Sequence, residues 1–167
     1  NDVDASQHVV SQLADGGRKR IALINHDLSY KYARLRERGY KSVIHLRDLD
    51  YQAVEYASEL SSGAGMAAMQ NLLKANPPDA VFAVSDTLAA GALRAIQQAG
   101  LRVPEDIAVV GFDGTELAEM ISLTTIEQPS RDIGRKAVNL LLNKIDNPDA
   151  PTERVMMDWR FISRAST

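Results

Sequence analysis

The chain has 167 residues, a length that suits one domain, and its 45% hydrophobic and 25% charged fractions are those of an ordinary soluble globular protein. A formal charge of −3 argues against this segment being a nucleic-acid or membrane surface by itself, since both partners need a concentrated basic patch. The lack of cysteine excludes disulfides, thiolate metal sites and a cysteine nucleophile, and fits a reducing, cytoplasmic compartment.

No run of about 18 apolar residues exists to span a membrane. The opening Asn1-Asp2-Val3-Asp4-Ala5-Ser6 lacks the basic start and apolar core of a signal peptide, and there is no initiator Met. The expectation is a fragment of a longer protein.

Helical and strand patterns then alternate. Val9, Val10 and Leu13 give Asp4 to Leu13 helical spacing, closed by Gly16-Gly17. Ile21-Ala22-Leu23-Ile24 is an all-apolar run of the kind that forms a strand buried on both faces of a parallel sheet. A charged helix is predicted from about Tyr30 to Val43, and residues 45–62 hold at most a short edge strand near Tyr51–Val54. Helical spacing returns from Gly65 to Lys74 and stops before Pro77-Pro78. Ala80 to Val84 reads as a buried strand, Asp86 to Ala99 as a helix closed by Gly100, and Ile107 to Phe112 as another strand. A short helix at Glu116–Met120 leads to a strand at Thr124-Thr125-Ile126. Pro129 marks a break, Arg131 to Leu142 is strongly amphipathic, and Val155 to Ile162 is a last extended segment. Alternation at this spacing means βαβ units: an α/β fold with an open parallel sheet and helices on both faces.

In such sheets ligands sit beyond the carboxyl ends of the strands, at a topological switch point. The first strand ends in Asn25-His26-Asp27, the second clear one in Ser85-Asp86, and the third in Asp113-Gly114-Thr115, each turning abruptly polar. Arg34 and Arg36, opening the second helix, can swing over the same edge. Two residues apart they point in different directions, so at most one reaches a given ligand. The plain alternative for Ser85, Asp86 and Thr115 is helix capping, and the two roles are compatible. Asp113 is the stronger candidate, because it is not needed as a cap if Thr115 serves.

Other signals are thin. Gly63-Ala64-Gly65-Met66-Ala67-Ala68 echoes a dinucleotide fingerprint but lacks the apolar strand that must precede it, so it reads as a helix start. There is no nucleophile elbow, Walker A loop or zinc-protease motif, and no cofactor or metal is implied. His8, His26 and His45 have no metal-ligand spacing. His26 either lines the predicted site or, more simply, is an exposed loop residue. Met66, Met69, Met156 and Met157 read as packing. The chain is therefore read as a binding module rather than an enzyme.

A longer stretch carries a resemblance. Gly91-Ala92-Leu93-Arg94-Ala95-Ile96, then Gly100-Leu101-Arg102-Val103-Pro104-Glu105-Asp106-Ile107-Ala108-Val109-Val110-Gly111-Phe112-Asp113, resembles the lactose/galactose-repressor family of bacterial transcription regulators. Ala33 to Tyr40, Ser85 to Ala89, Leu123 to Pro129 and the ending Ser163-Arg164-Ala165-Ser166-Thr167 fall in matching order. The wording at Ile24-Asn25 and from Tyr32 to Tyr40 looks closest to repressors of α-glucoside or maltose-type catabolism.

The resemblance implies an N-terminal helix-turn-helix headpiece, a hinge helix and a two-lobed core like a periplasmic sugar-binding protein. Residues 1–127 would be the C-terminal lobe, 128–158 a return to the N-terminal lobe, and 159–167 a crossing back; the headpiece and most of the N-terminal lobe would lie outside this chain. It implies a homodimer that binds operator DNA through the headpiece and a small effector, a sugar or sugar derivative, in the interlobe cleft. Arg36 and Asp113 would bind the effector, with Ser85 and Asp86 lining the cleft and Asn25, Arg34 and Gln128 as further candidates. Many members carry Asn at the position of Ser85, and serine has one arm fewer for paired hydrogen bonds. Leu60 falls where some members carry a stacking aromatic, so a pyranose face would need another ring, Tyr56 or Tyr32. A periplasmic sugar-binding protein is the alternative, sharing fold and cleft but requiring a secretion signal.

Overall fold

A computed structural model describes residues 1–167. Six strands, β1 (Ile21–Asn25), β2 (Ala53–Tyr56), β3 (Ala80–Ala83), β4 (Ala108–Asp113), β5 (Thr124–Glu127) and β6 (Arg160–Ile162), form one sheet of order β2-β1-β3-β4-β5-β6. The first five run parallel, with Leu23 beside Phe82 and Phe82 beside Val110. The sixth differs from the sequence expectation of an all-parallel sheet. It returns antiparallel to β5, pairing Ile162 with Thr125 and Arg160 with Glu127.

The helices are α1 (Asp2–Asp15), α2 (Lys31–Leu46), α3 (Ser62–Ala75), α4 (Asp86–Gln98), α5 (Glu116–Met120) and α6 (Ser130–Asp146). The connection through α2 moves outward from β1 to β2, whereas that through α3 crosses back over β1 to β3. Right-handed crossovers in opposite directions put their helices on opposite faces. Accordingly α1 packs on α2 and α3 on α4. The α3–α4 contact is close: a Cβ on Gly65 would strike the Leu88 carbonyl, and one on Gly91 the Ser62 carbonyl.

The strands are apolar because most are covered on both faces. Every residue of β1 and β3 is buried, and Ile21, Leu23, Ile24, Phe82, Phe112 and Ile126 form the centre of the core. The order of strands reverses direction between β1 and β3, which places the switch point, and hence the crevice, at their carboxyl ends.

Two boundaries moved. The edge strand lies at Ala53–Tyr56 rather than 51–54, because Tyr51 is drawn into the core, where its hydroxyl donates to the Asn76 carbonyl. Only Arg160–Ile162 of the predicted extended segment forms a strand, and Met156 is exposed rather than packed, as nothing covers it. No residue of α6 is buried, and Ile133, Val138, Leu141, Leu142 and Ile145 all face outward. No helix is long and apolar enough to cross a membrane.

Candidate functional site

Three strand ends, the first turn of α1 and the second turn of α2 meet at the crevice. Asp113 closes β4 with φ 111°, a backbone turn that Gly114 continues at φ 70°. One carboxylate oxygen accepts a 2.8 Å hydrogen bond from Gln128 Nε2. The Gln128 backbone N–H donates to the Asp113 carbonyl, so the end of β5 carries its side chain to that of β4. Arg36 Nη1 stands 3.6 Å from the same oxygen.

Arg36 is a buried cation with partners on α1, α2 and β4 and just past the end of β3. Its Nε donates to Asp2 Oδ1 at 2.8 Å, and its Nη1 to the Val84 carbonyl at 2.6 Å. The guanidinium lies 3.5 Å from the Phe112 ring centroid and 5.1 Å from that of Tyr32. Aromatic faces favour such a charge. Burial pushes the Asp113 carboxyl up to about 6; the Arg36 charge and the Gln128 hydrogen bond oppose this, while Asp86 and Asp2 add to it.

The remaining candidates separate by what their side chains already hold. Ser85 caps α4, its Oγ accepting from the Leu88 N–H at 3.2 Å. Asp86, 1% exposed, is not a cap: it accepts from the Thr115 N–H and hydroxyl at 2.7 and 2.8 Å and from the Thr125 hydroxyl at 2.6 Å. It thereby ties α4 to the turn after β4 and to β5. Gly111 makes room for this, since a Cβ there would overlap the Asp86 carboxylate. Thr115 caps α5, as expected.

Asn25 and Arg34 do not join the Asp113 group. Asn25 is fully buried against α2, donating to Glu37 Oε2 at 2.8 Å and to the Ala33 carbonyl, while its own oxygen accepts from the His26 N–H. Burial would raise the Glu37 carboxyl, but hydrogen bonds from Lys41, Asn25 and Tyr56 outweigh it and hold the group below its usual range. Arg34 Nη1 instead donates to the Leu28 and Ser29 carbonyls, bracing the β1–α2 loop. The two arginines point apart, as their spacing requires.

His26 is 8% exposed, not a solvated loop residue, because two tyrosines cover it. Its Nδ1 lies 2.8 Å from the Tyr32 hydroxyl, and the ring centroids of His26, Tyr30 and Tyr32 stand 5.0 to 6.3 Å apart. Tyr30 is half exposed. Sequence reasoning missed Tyr30 and Asp2. The Tyr30-x-Tyr32 spacing after a strand end was a usable signal, but nothing local marks Asp2, 34 positions from Arg36.

Two hollows flank the carboxylate. One, of about 280 Å³, is mostly apolar and includes Asp2, Phe112, Gln128, Ile133 and Trp159. The other, an open basin of about 730 Å³, has only polar walls or glycine and proline, among them Asp113, Thr115, Gln128 and Arg160. Acceptor, cation and amide thus converge on one accessible edge, a set that fits adjacent hydroxyl groups on a small ligand.

The architecture that presents this edge is that of the effector domains of lactose-repressor-type regulators. The chain belongs to the periplasmic-binding-protein-like domain family, whose model matches residues 10–167. It is 36% identical over 160 residues to the ribose operon repressor of Haemophilus influenzae, covering 92% of this chain and 48% of that protein. Its fold superposes with a TM-score of 0.93 on a LacI-family transcriptional regulator from Enterococcus faecium with bound ribose, at 29% identity, over 100% of this chain and 63% of that one. The lac repressor dimer bound to operator matches with a TM-score of 0.91 at 31% identity, over 100% of this chain and 59% of that one. The chain spans about half the length of the curated relatives it matches.

Proposed function

We propose that this chain is one lobe of the effector-binding core of a bacterial transcriptional repressor, taking a sugar or sugar derivative at the edge formed by Asp113, Arg36 and Gln128. The observation that carries the reading is the Asp113 carboxylate: held by Gln128 on one oxygen, it keeps 37% of its side-chain surface open beside a buried cation. An ionised carboxylate accepts from hydroxyls, and charge-assisted hydrogen bonds are about twice as strong as neutral ones. The ribose named for the Haemophilus influenzae and Enterococcus faecium relatives supports a small sugar more than an α-glucoside.

In this reading residues 1–127 and 159–167 form one lobe, and residues 128–158 belong with a second. The unpartnered apolar face of α6 supports that division. Ligand held between lobes favours one relative orientation, and a DNA-binding headpiece in a cytoplasmic homodimer reports it as altered operator affinity. Such coupling requires different ligand affinities in the two orientations. The relatives are named as repressors rather than enzymes, which favours this reading over a transport protein.

The test is a thermal-shift panel on the intact protein with D-ribose, other pentoses, hexoses, cellobiose and sugar phosphates. A ligand that binds the native state raises its melting temperature. The expected result is a shift with at least one sugar that Asp113→Ala abolishes without loss of folding. An unchanged response in that variant, or no response to any sugar, overturns the assignment.

A further inference from the structure

Arg36 has two carboxylates within reach, and it holds them unequally. Asp2, at the start of α1, takes Nε at 2.8 Å, whereas Asp113 stands 3.6 Å from Nη1. That Nη1 already donates to the Val84 carbonyl, and Phe112 lies against the guanidinium face. The cation is thereby anchored through Nε, Nη1 and its ring face, with Asp113 held less closely than Asp2. A guanidinium released from such an anchor pairs two-pronged with the nearest carboxylate, occupying both of its oxygens.

We infer that Asp2 is a positioning residue of the site: by holding Arg36 at Nε it stops the arginine from closing onto Asp113 and keeps that carboxylate available to a ligand. The inference rests on the assignment of Arg36 and Asp113 as ligand groups. Its test needs no ligand, so the two stand or fall separately.

The groups facing Asp113 are Arg36 from α2, Asp86 from α4, Gln128 after β5 and Asp2 from α1. Freeing Arg36 moves positive charge toward Asp113 and removes a negative one, and both changes favour its ionised form. The experiment follows the Asp113 side-chain carboxyl signal by carbon NMR across a pH titration of the intact protein, assigned by its loss in Asp113→Asn. In Asp2→Ala, which removes both the charge and the Nε acceptor, the midpoint is expected to fall by about one pH unit. Asp2→Asn, whose amide oxygen still accepts from Nε, is expected to give a clearly smaller fall. Asp2→Glu, which restores an anion within reach of Nε, is expected to return it toward the parent value. Asp4→Asn removes the same charge from the same helix turn without touching Arg36, and is expected to leave the midpoint in place. An unchanged or raised midpoint in Asp2→Ala overturns the inference, as does an equal fall in Asp2→Asn or in Asp4→Asn.

Discussion

Replacing Asp113 by Asn is expected to make the protein more stable at neutral pH and less able to bind its ligand. The substitution is nearly isosteric, Asn tolerates positive φ better than most residues, and its oxygen still accepts from Gln128. What it removes is a carboxylate that folding holds at about 6 against an ordinary 3.8. Because the folded value is the higher one, the protonated form is what the native state favours. The group's contribution to stability is complete below pH 3.8 and is lost as pH rises through 6. A difference of roughly two pH units corresponds to about 3 kcal/mol. With 37% of the side chain still in water, screening reduces this to about 1–2 kcal/mol. Urea denaturation at pH 7.5 should show the variant ahead by that amount, or by about 2–4 °C per kcal/mol in melting temperature. By pH 5 about half of the advantage should remain, and by pH 4 about a fifth. A variant that is less stable at pH 7.5, or equally displaced at both ends of the range, would refute the argument that burial of this carboxylate opposes folding.

Asp86→Ala should do the opposite, costing about 3 kcal/mol by urea denaturation, because it strands the buried Thr125 hydroxyl and the Thr115 N–H together; a loss under about 1 kcal/mol would show that water replaces the carboxylate there. In the isolated chain, amide hydrogens of α6 should exchange far faster than those of α3 and α4, since no residue of α6 is buried. Comparable protection by mass spectrometry would mean that α6 finds a partner surface in solution.

The buried strands were legible because an apolar run bounded by turn residues has few alternatives. Ile21–Ile24, Ala80–Val84 and Ile107–Phe112 all fall within one residue of the strands they predict. β2 was harder: it lies at the sheet edge, so Glu55 and Tyr56 interrupt the apolar pattern. β6 was harder still, for a three-residue strand owes its place to the register of β5 rather than to its own composition. At the crevice, position after a strand singles out Asp113 as a candidate, but it does not say which way a side chain turns. Asn25 and Asp86 stand at equivalent strand ends and have their polar atoms spent on the fold. Arg36 was separated from Arg34 by helical geometry only in part; its anchor, Asp2, comes from another element altogether.

The antiparallel return of β6 makes residues 128–159 a detour that leaves and re-enters the sheet at a single place, since Glu127 and Arg160 are register partners and an ion pair. Neighbouring antiparallel strands are ordinarily joined by a turn of a few residues. Topologically, then, the detour is a cassette. A short hairpin turn spliced between Gln128 and Arg160 would leave every strand pairing of the sheet unaltered, and with it Asp113, Arg36 and the Gln128 amide that holds Asp113. The sheet thus holds the whole excursion by one doorway, and the excursion can be recut there without disturbing the strands behind it.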